Sequence, residues 1–292
     1  MTSVGIIGNG FVGDATSHFG NTNVSIAIYD ISPNKCSPLG TTLVDVCKSD
    51  IIFICLPTPM LPDGSCYLGI IESVVVTMKK MIDFDIVPVV IRSTVPVGTC
   101  KKLNCFSMPE FLTEANPVDD FKKTSTWIFG LKTPKMSTHK IQNTKMQNIA
   151  TGILSSNMHS GNIVTDNCLF VATDQAESIK IFKNTFLAVK VGFCNEFYRF
   201  CEANNVDYDA VIDGVTKDKR ITKSHTSVPG SKNLFGFGGT CFPKDISSLK
   251  YQMETAGVAS PIINAVIERN NTIDRPQQEW KENKGRAVIN AE

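Results

Sequence analysis

With 292 residues and 42% hydrophobic content, the chain is long enough to bury a sizeable core and to divide into two domains. Its formal net charge of +1 leaves no basic stripe for nucleic acid and no cationic face for a membrane surface. The ten cysteines fall at irregular spacings without a CxxC pair or a Cys/His cluster, which argues against a metal site and a disulfide framework and for a reducing, cytoplasmic setting. Apolar runs such as residues 51–56 are too short to cross a bilayer, and a strand has begun by residue 3, so neither a membrane span nor a leader peptide is expected.

The first predicted strand, residues 3–7, runs into Gly8-Asn9-Gly10-Phe11-Val12-Gly13. A GxGxxG at the mouth of a helix gives a tight turn whose backbone N–H groups hold a pyrophosphate. A second strand, Val24–Tyr29, ends at Asp30, which lies 30 − 8 = 22 residues past the first glycine. A carboxylate at that offset accepts hydrogen bonds from a ribose and repels a 2′-phosphate, which predicts NAD rather than NADP; Lys35 is the nearest downstream cation.

Apolar strands at 51–56, 87–91, Trp127–Leu131 and 169–172 continue the alternation with helices and loops, the pattern of a parallel, doubly wound α/β sheet of Rossmann type. Ligands sit at strand ends in such sheets. The third strand is followed by Pro57-Thr58-Pro59 and the fourth by Arg92-Ser93-Thr94-Val95-Pro96-Val97-Gly98-Thr99, either of which also reads as an ordinary turn. Beyond them, Glu110 and Glu114 stand four apart beside Pro109, where a solvated helix face explains them equally well.

From residue 173 to about 203 the chain lacks proline and has only Gly192, which predicts a long helix opened by a capping box between Asp174 and Glu177. Ile179, Phe182, Phe186, Leu187, Val189 and Phe193 supply its apolar faces. Lys180 and Asn184 share a face, and by themselves read as a solvent stripe. Then comes Gly236-Phe237-Gly238-Gly239-Thr240-Cys241-Phe242-Pro243-Lys244-Asp245, with Lys244 and Asp245 opening a helix that continues through Leu249 and Tyr251. A thiol between a glycine turn and a helix N-terminus meets the partial positive charge that favours thiolate. The alternative is one more buried cysteine.

Taken together these stretches resemble the UDP-glucose/GDP-mannose dehydrogenase family. The motifs run in the family's order: GxGxxG, the Pro57-Thr58-Pro59 turn, STVPxGT from Ser93, PEFLxE from Pro109, ExxKxxxNxxLAxK from Glu177 with Asn195-Glu196 after it, and GFGGxCFPKD from Gly236. The resemblance implies an N-terminal Rossmann domain, residues 1–172, and an α-helical dimerisation domain with a long central helix, residues 173–276, leaving 277–292 as a tail. It implies an NAD-dependent, four-electron oxidation of a nucleotide sugar such as UDP-glucose by a homodimer.

Residue by residue, the resemblance implies a nucleophile at Cys241, oxyanion stabilisation by Lys180 and Asn184, and a thiol pKa lowered by Lys180. Asp245 orients water or the lysine, Glu114 is the general base, and Thr94 lies by the nicotinamide. It implies NAD contacts at Gly8, Gly10, Phe11, Val12, Gly13, Asp30, Lys35, Pro57, Thr58, Thr94 and Lys244. It implies substrate contacts at Glu110, Phe111, Leu112, Lys180, Asn184, Arg220, Phe235, Gly236 and Gly238.

Thr113 stands where the family has an arginine, and Tyr67-Leu68-Gly69 where it often has DLS; neither position carries chemistry in that scheme. The stretch after Pro276 is shorter than the family's third domain, so the nucleotide-binding half of the substrate site is expected to be missing. Two other readings therefore stand beside the dehydrogenase: oxidation of a smaller sugar, and an NAD-binding partner of a full-length homologue.

Overall fold

The computed structural model of the chain describes residues 1–133, 137–230 and 233–289; the last three residues of the expected tail lie outside the described residues. Its strands are β1 (Thr2–Ile7), β2 (Val24–Tyr29), β3 (Ile51–Ile54), β4 (Val89–Ile91), β5 (Phe106–Ser107), β6 (Trp127–Leu131) and β7 (Cys168–Ala172). Among the described residues they form one sheet in the order β2-β1-β3-β4-β5-β6-β7.

β3 is buried along its whole length and β1 along most of it, as strands covered on both faces must be. Side-chain alternation sends Val4, Ile6, Ile51 and Phe53 to one face and Ile7, Ile52 and Ile54 to the other. On the first face lie Ala15 of α1 (Phe11–Ser17), Phe121 of α5 (Pro117–Lys122) and Met146 and Leu154 of α6 (Ser137–His159). On the second lie Val46 of α2 (Leu43–Val46), Ile71 and Val75 of α3 (Gly69–Met78) and Leu103 of α4 (Thr99–Leu103). The sheet is doubly wound, as its sequence pattern predicts.

Several details differ from the sequence expectation, among them the end of β3 at Ile54 rather than residue 56. β4 starts at Val89 rather than residue 87, because Pro88 has no N–H for the ladder. β5 was not foreseen, since two residues carry no readable period. Its pairing with β6 through Ser107 and Gly130 is antiparallel, within a sheet whose other pairs are parallel. Only the short α5 lies between them, and an antiparallel neighbour needs no long crossover helix.

The chain separates into two compact units, the first Met1–Thr58 with Leu68–Lys180, the second Pro59–Tyr67 with everything from Ile181 onward. The second contains most of α7 (Thr173–Ala203), then α8 (Tyr208–Val215), α9 (Phe242–Thr255) and α10 (Pro261–Arg269). Ala188, Phe237 and Ile246 form one of its small cores, and Cys194, Cys201, Tyr208 and Val228 another. Residues beyond 276 also pack here: Trp280 is buried, Met60 N donates to Ala287 O, and Ile289 N to Met60 O.

In the first unit Phe19 is buried between Phe121, edge-on at 4.7 Å, and Trp127 at 5.3 Å. Phe19→Ala should therefore cost about 3–5 kcal/mol in urea unfolding; a loss below about 1 kcal/mol would show that this aromatic cluster relaxes around the gap.

Candidate functional site

β1 to β5 run parallel, so the loops after them gather along one edge of the sheet. Gly8 has φ +93°, and a Cβ there would lie 2.6 Å from the Cys55 carbonyl oxygen. A Cβ at Gly13 would lie 1.9 Å from the Gly8 oxygen, so this glycine lets α1 close on the turn. A Cβ at Gly10 meets nothing within 4 Å, which leaves an open backbone face in front of the half-buried Phe11 and Val12.

Asp30 accepts from Asn9 N at 2.7 Å and from Ser32 N at 2.8 Å, while Asn9 Nδ2 donates to Lys35 O at 2.7 Å. The Lys35 side chain is exposed. Asn9 Oδ1 is buried with no hydrogen-bond partner. An open face at Gly10, a carboxylate after β2 and an unsatisfied acceptor between them fit a dinucleotide.

Thr58 Oγ1 donates to Thr94 O at 2.8 Å, tying the loop after β3 to the loop after β4, while Pro57 is exposed. Glu177 fixes the second loop from α7. Its carboxylate accepts from Gly98 N at 2.6 Å and Cys100 N at 2.7 Å, so it caps the start of α4. This corrects the expected capping box: α7 begins at Thr173, Asp174 accepts from Gln175 N, and Glu177 serves a different helix. Burial pushes the Glu177 carboxyl above its ordinary value of 4.5, against the opposing pull of the two N–H donors.

Lys180 Nζ lies 2.8 Å from Glu110 Oε1, with the two side chains 4% and 5% exposed. The other carboxylate oxygen accepts from Leu112 N at 2.7 Å, and the ammonium lies 5.7 Å from the Phe111 ring centre. Glu110, Phe111, Leu112 and Lys180 are thus brought together in the first unit. Glu114 lies on the exposed surface, and Thr113 is bonded to Asp120.

In the second unit Cys241 is the N-cap of α9, which starts two residues earlier than expected because Pro243 is tolerated in the first turn. Asp245, buried in that turn, accepts from Asn184 Nδ2 at 2.6 Å and from Lys244 Nζ at 2.5 Å. Burial disfavours the Lys244 ammonium, but the charges of Asp245, Cys241 and Cys66 outweigh it and raise the lysine's pKa. Cys241 is half-buried, unlike Cys55 and Cys105, whose thiols burial pushes up to about 11 and about 12.

The glycine turn is held by Asn195 and by residues for which the sequence assigned no role. Gly236 N donates to Asn195 Oδ1 at 3.0 Å, and Asn270 both accepts from Phe237 N at 2.8 Å and donates to Phe237 O at 3.0 Å. Where a Cβ on Gly238 would point, the Glu279 carboxylate and the Arg275 guanidinium lie 2.3 and 2.6 Å away. Arg275 also donates to Phe235 O. Only Asn195, which follows the motif of α7, left a sequence signal. Arg220 is not gathered with these groups: its side chain is 88% exposed and paired with Asp218. Among the described residues no three His, Cys, Asp or Glu side chains form a metal cluster, and no helix is long and apolar enough to cross a membrane.

Comparison with known proteins identifies the family. The NAD-binding domain of the UDP-glucose/GDP-mannose dehydrogenase family matches residues 39–149 and its central domain residues 174–272, and the chain belongs to that family. Its cofactor is NAD. Among curated relatives, UDP-glucose 6-dehydrogenase TuaD of Bacillus subtilis is 31% identical over 76% of this chain and 46% of its own length. The UDP-glucose 6-dehydrogenase of Pseudomonas aeruginosa is 30% identical over 76% and 48%. The chain spans about half the length of the curated relatives it matches.

Two of the solved structures that share the fold are dehydrogenases. One is a UDP-glucose dehydrogenase from Pyrobaculum islandicum, at TM-score 0.77 and 24% identity over 97% of this chain and 72% of that one. The other is 3-hydroxyisobutyrate dehydrogenase of Mycobacterium tuberculosis, at 0.67 and 14% over 94% and 95%.

Because the folded-state pKa of Glu177 is raised, the folded protein holds a proton that the unfolded chain releases first. The stability this gives is complete below the ordinary value of 4.5 and is lost as pH rises through the folded value. In urea titrations, wild type should therefore lose stability relative to Glu177→Gln as the pH is raised from 4.5. A gap that stays constant or moves the other way would contradict burial as the dominant effect.

Proposed function

We propose that the chain oxidises the primary alcohol of a nucleotide sugar, UDP-glucose foremost, to the carboxylate in two hydride transfers. The observation that carries the reading is the half-buried Cys241 at the start of α9, in the same helical turn as a buried Asp245 that is bonded to both Asn184 and Lys244. Two molecules of NAD, bound in turn, would supply the two hydride acceptors.

The chain's own residues do the rest. Glu114 takes the hydroxyl proton as the alcohol becomes an aldehyde, with Glu110 holding Lys180. The Cys241 thiolate adds to the aldehyde carbon, and Lys180 and Asn184 stabilise the oxyanion as it forms. Loss of the second hydride leaves a thioester on Cys241, and water oriented by Asp245 cleaves it to acid and thiol. Thr94 borders the nicotinamide, and Phe111, Leu112 and Phe235 to Gly238 border the sugar nucleotide. The setting is the cytoplasm, and residues 173–276 form the dimerisation domain.

Wild type should release two NADH per UDP-glucose. Cys241→Ser should still allow the first transfer but form acid about a hundredfold more slowly or worse, since a serine hydroxyl without an adjacent base is a poor nucleophile. NADH counted at several sugar concentrations, with and without a full-length homologue, checks this. Equal turnover by the two proteins would sink the covalent mechanism. Absence of turnover by wild type in every arm would favour an NAD-binding partner of a homologue.

α7 leaves Phe182 and Phe193 70% and 66% exposed, with Phe186 and Phe200 also in solvent. So much apolar surface on one helix is the mark of an association face, and a second copy of this chain is its proposed occupant. Light scattering at micromolar concentration should give twice the chain mass of 32.0 kDa; a monomer would overturn the dimer.

A further inference from the structure

Arg92 immediately follows β4, its backbone N–H donating to Ile54 O at 2.9 Å, and its side chain, 2% exposed, is among the most deeply buried large side chains of the molecule. A guanidinium so placed is ordinarily matched by a carboxylate. Here Nε has no hydrogen-bond partner and Nη1 donates to the thioether sulfur of Met108 at 2.9 Å. Among the described residues Arg92 joins no ion pair. A thioether is a weak acceptor, so direct contact leaves the charge almost uncompensated.

Two groups of the first unit reach the guanidinium through space, Cys55 and Glu110, and both oppose the burial that lowers its pKa from 12.5. Neither cancels its charge. Burial pushes the Cys55 thiol up to about 11, so at neutral pH that side chain is uncharged. Glu110 is already taken: one oxygen lies 2.8 Å from the Lys180 ammonium and the other accepts from Leu112 N. Arginine, for its part, does not shed its proton to escape burial. Arg92, Lys180 and Glu110 together therefore carry two positive charges and one negative, a surplus of one positive charge in the interior of the first unit.

An interior cation without a partner costs stability, and charge kept at such a cost is a mark of a functional site. We propose that Arg92 supplies the surplus positive charge at the Lys180–Glu110 pair: by drawing on the Glu110 carboxylate it leaves the Lys180 ammonium incompletely neutralised, and so able to stabilise an oxyanion. Arg92 touches no reacting atom in this assignment and is a positioning residue, acting through Glu110. Without it Lys180 and Glu110 form a neutral pair, whose field falls off faster than that of a lone charge.

The inference rests on the oxyanion role given to Lys180 above, and variants of Arg92 test it apart from that role. Arg92→Met puts an uncharged, adaptable side chain in place of the guanidinium. Because the ion pair left behind is complete, this variant should unfold at a higher urea concentration than wild type, the reverse of what loss of a structural arginine would do. Its kcat for UDP-glucose oxidation should fall about tenfold with little change in KM for NAD, the split expected when an interaction made only in the transition state is lost. Arg92→Lys keeps the charge, so it should recover most of the kcat and show no gain in stability.

A lower urea midpoint for Arg92→Met, a kcat equal to that of wild type, or an Arg92→Lys variant as slow as Arg92→Met would overturn the assignment. Absence of turnover by wild type would overturn the oxidation reading and this role with it, whereas a fall in midpoint with an active wild type would overturn the role of Arg92 alone. The NADH count with Cys241→Ser tests the covalent step separately.

Discussion

A helix of 31 residues gives its side chains no choice of neighbours along its own axis, and α7 uses that constraint three times. Glu177, Lys180 and Asn184 follow one another at intervals of three and four, so they are stacked turn upon turn. Each is buried and each is matched. Glu177 takes the N–H groups of Gly98 and Cys100, Lys180 takes Glu110, and Asn184 takes Asp245. Within the first unit the loops after β4 and β5 are thereby referenced to α7, and within the second so is the first turn of α9. Removing one partner of any pair leaves a buried charge or amide unsatisfied, which costs several times what the intact pair contributes.

The same pairing explains how each unit tolerates these buried charges. An isolated ammonium or carboxylate in the interior would shift its protonation and neutralise. Here Lys180 has Glu110, and Lys244 has Asp245, whose second oxygen is in turn satisfied by an amide. Within each unit, a buried charge whose partners are all present holds its side chain in one rotamer. The thiols follow the opposite logic. Cys55 and Cys105 are buried, which raises the pKa of each thiol, while Cys241 is half-buried at the N-terminus of α9.

The C-terminal stretch gives the glycine turn a support that the motif alone does not reveal. The Gly238 backbone comes so close to Arg275 and Glu279 that no side chain fits between. Asn270 closes both hydrogen-bonding positions of Phe237, and Asn195 takes Gly236. Glycines there serve packing of the chain on itself as well as access, a dual use that follows from the same missing Cβ.

What the sequence determined by itself is everything governed by a short period or a fixed spacing. The strands, the length of α7, the turn of Gly8 to Gly13 with Asp30 at its offset, and the placing of Cys241 at the mouth of a helix all follow from local patterns. These are one-dimensional properties of the chain, set by backbone geometry and alternation. The tertiary structure alone decided which partner each buried polar group would take. Glu177 read as a capping residue for its own helix and instead caps α4, 77 positions away in sequence at Cys100. Lys180 and Asn184 read as a solvent stripe and are buried on Glu110 and Asp245. The two-residue β5 and its antiparallel neighbour left no period to read. A hydrogen bond between distant residues depends on where the fold carries each end, and no local pattern of residues encodes that distance.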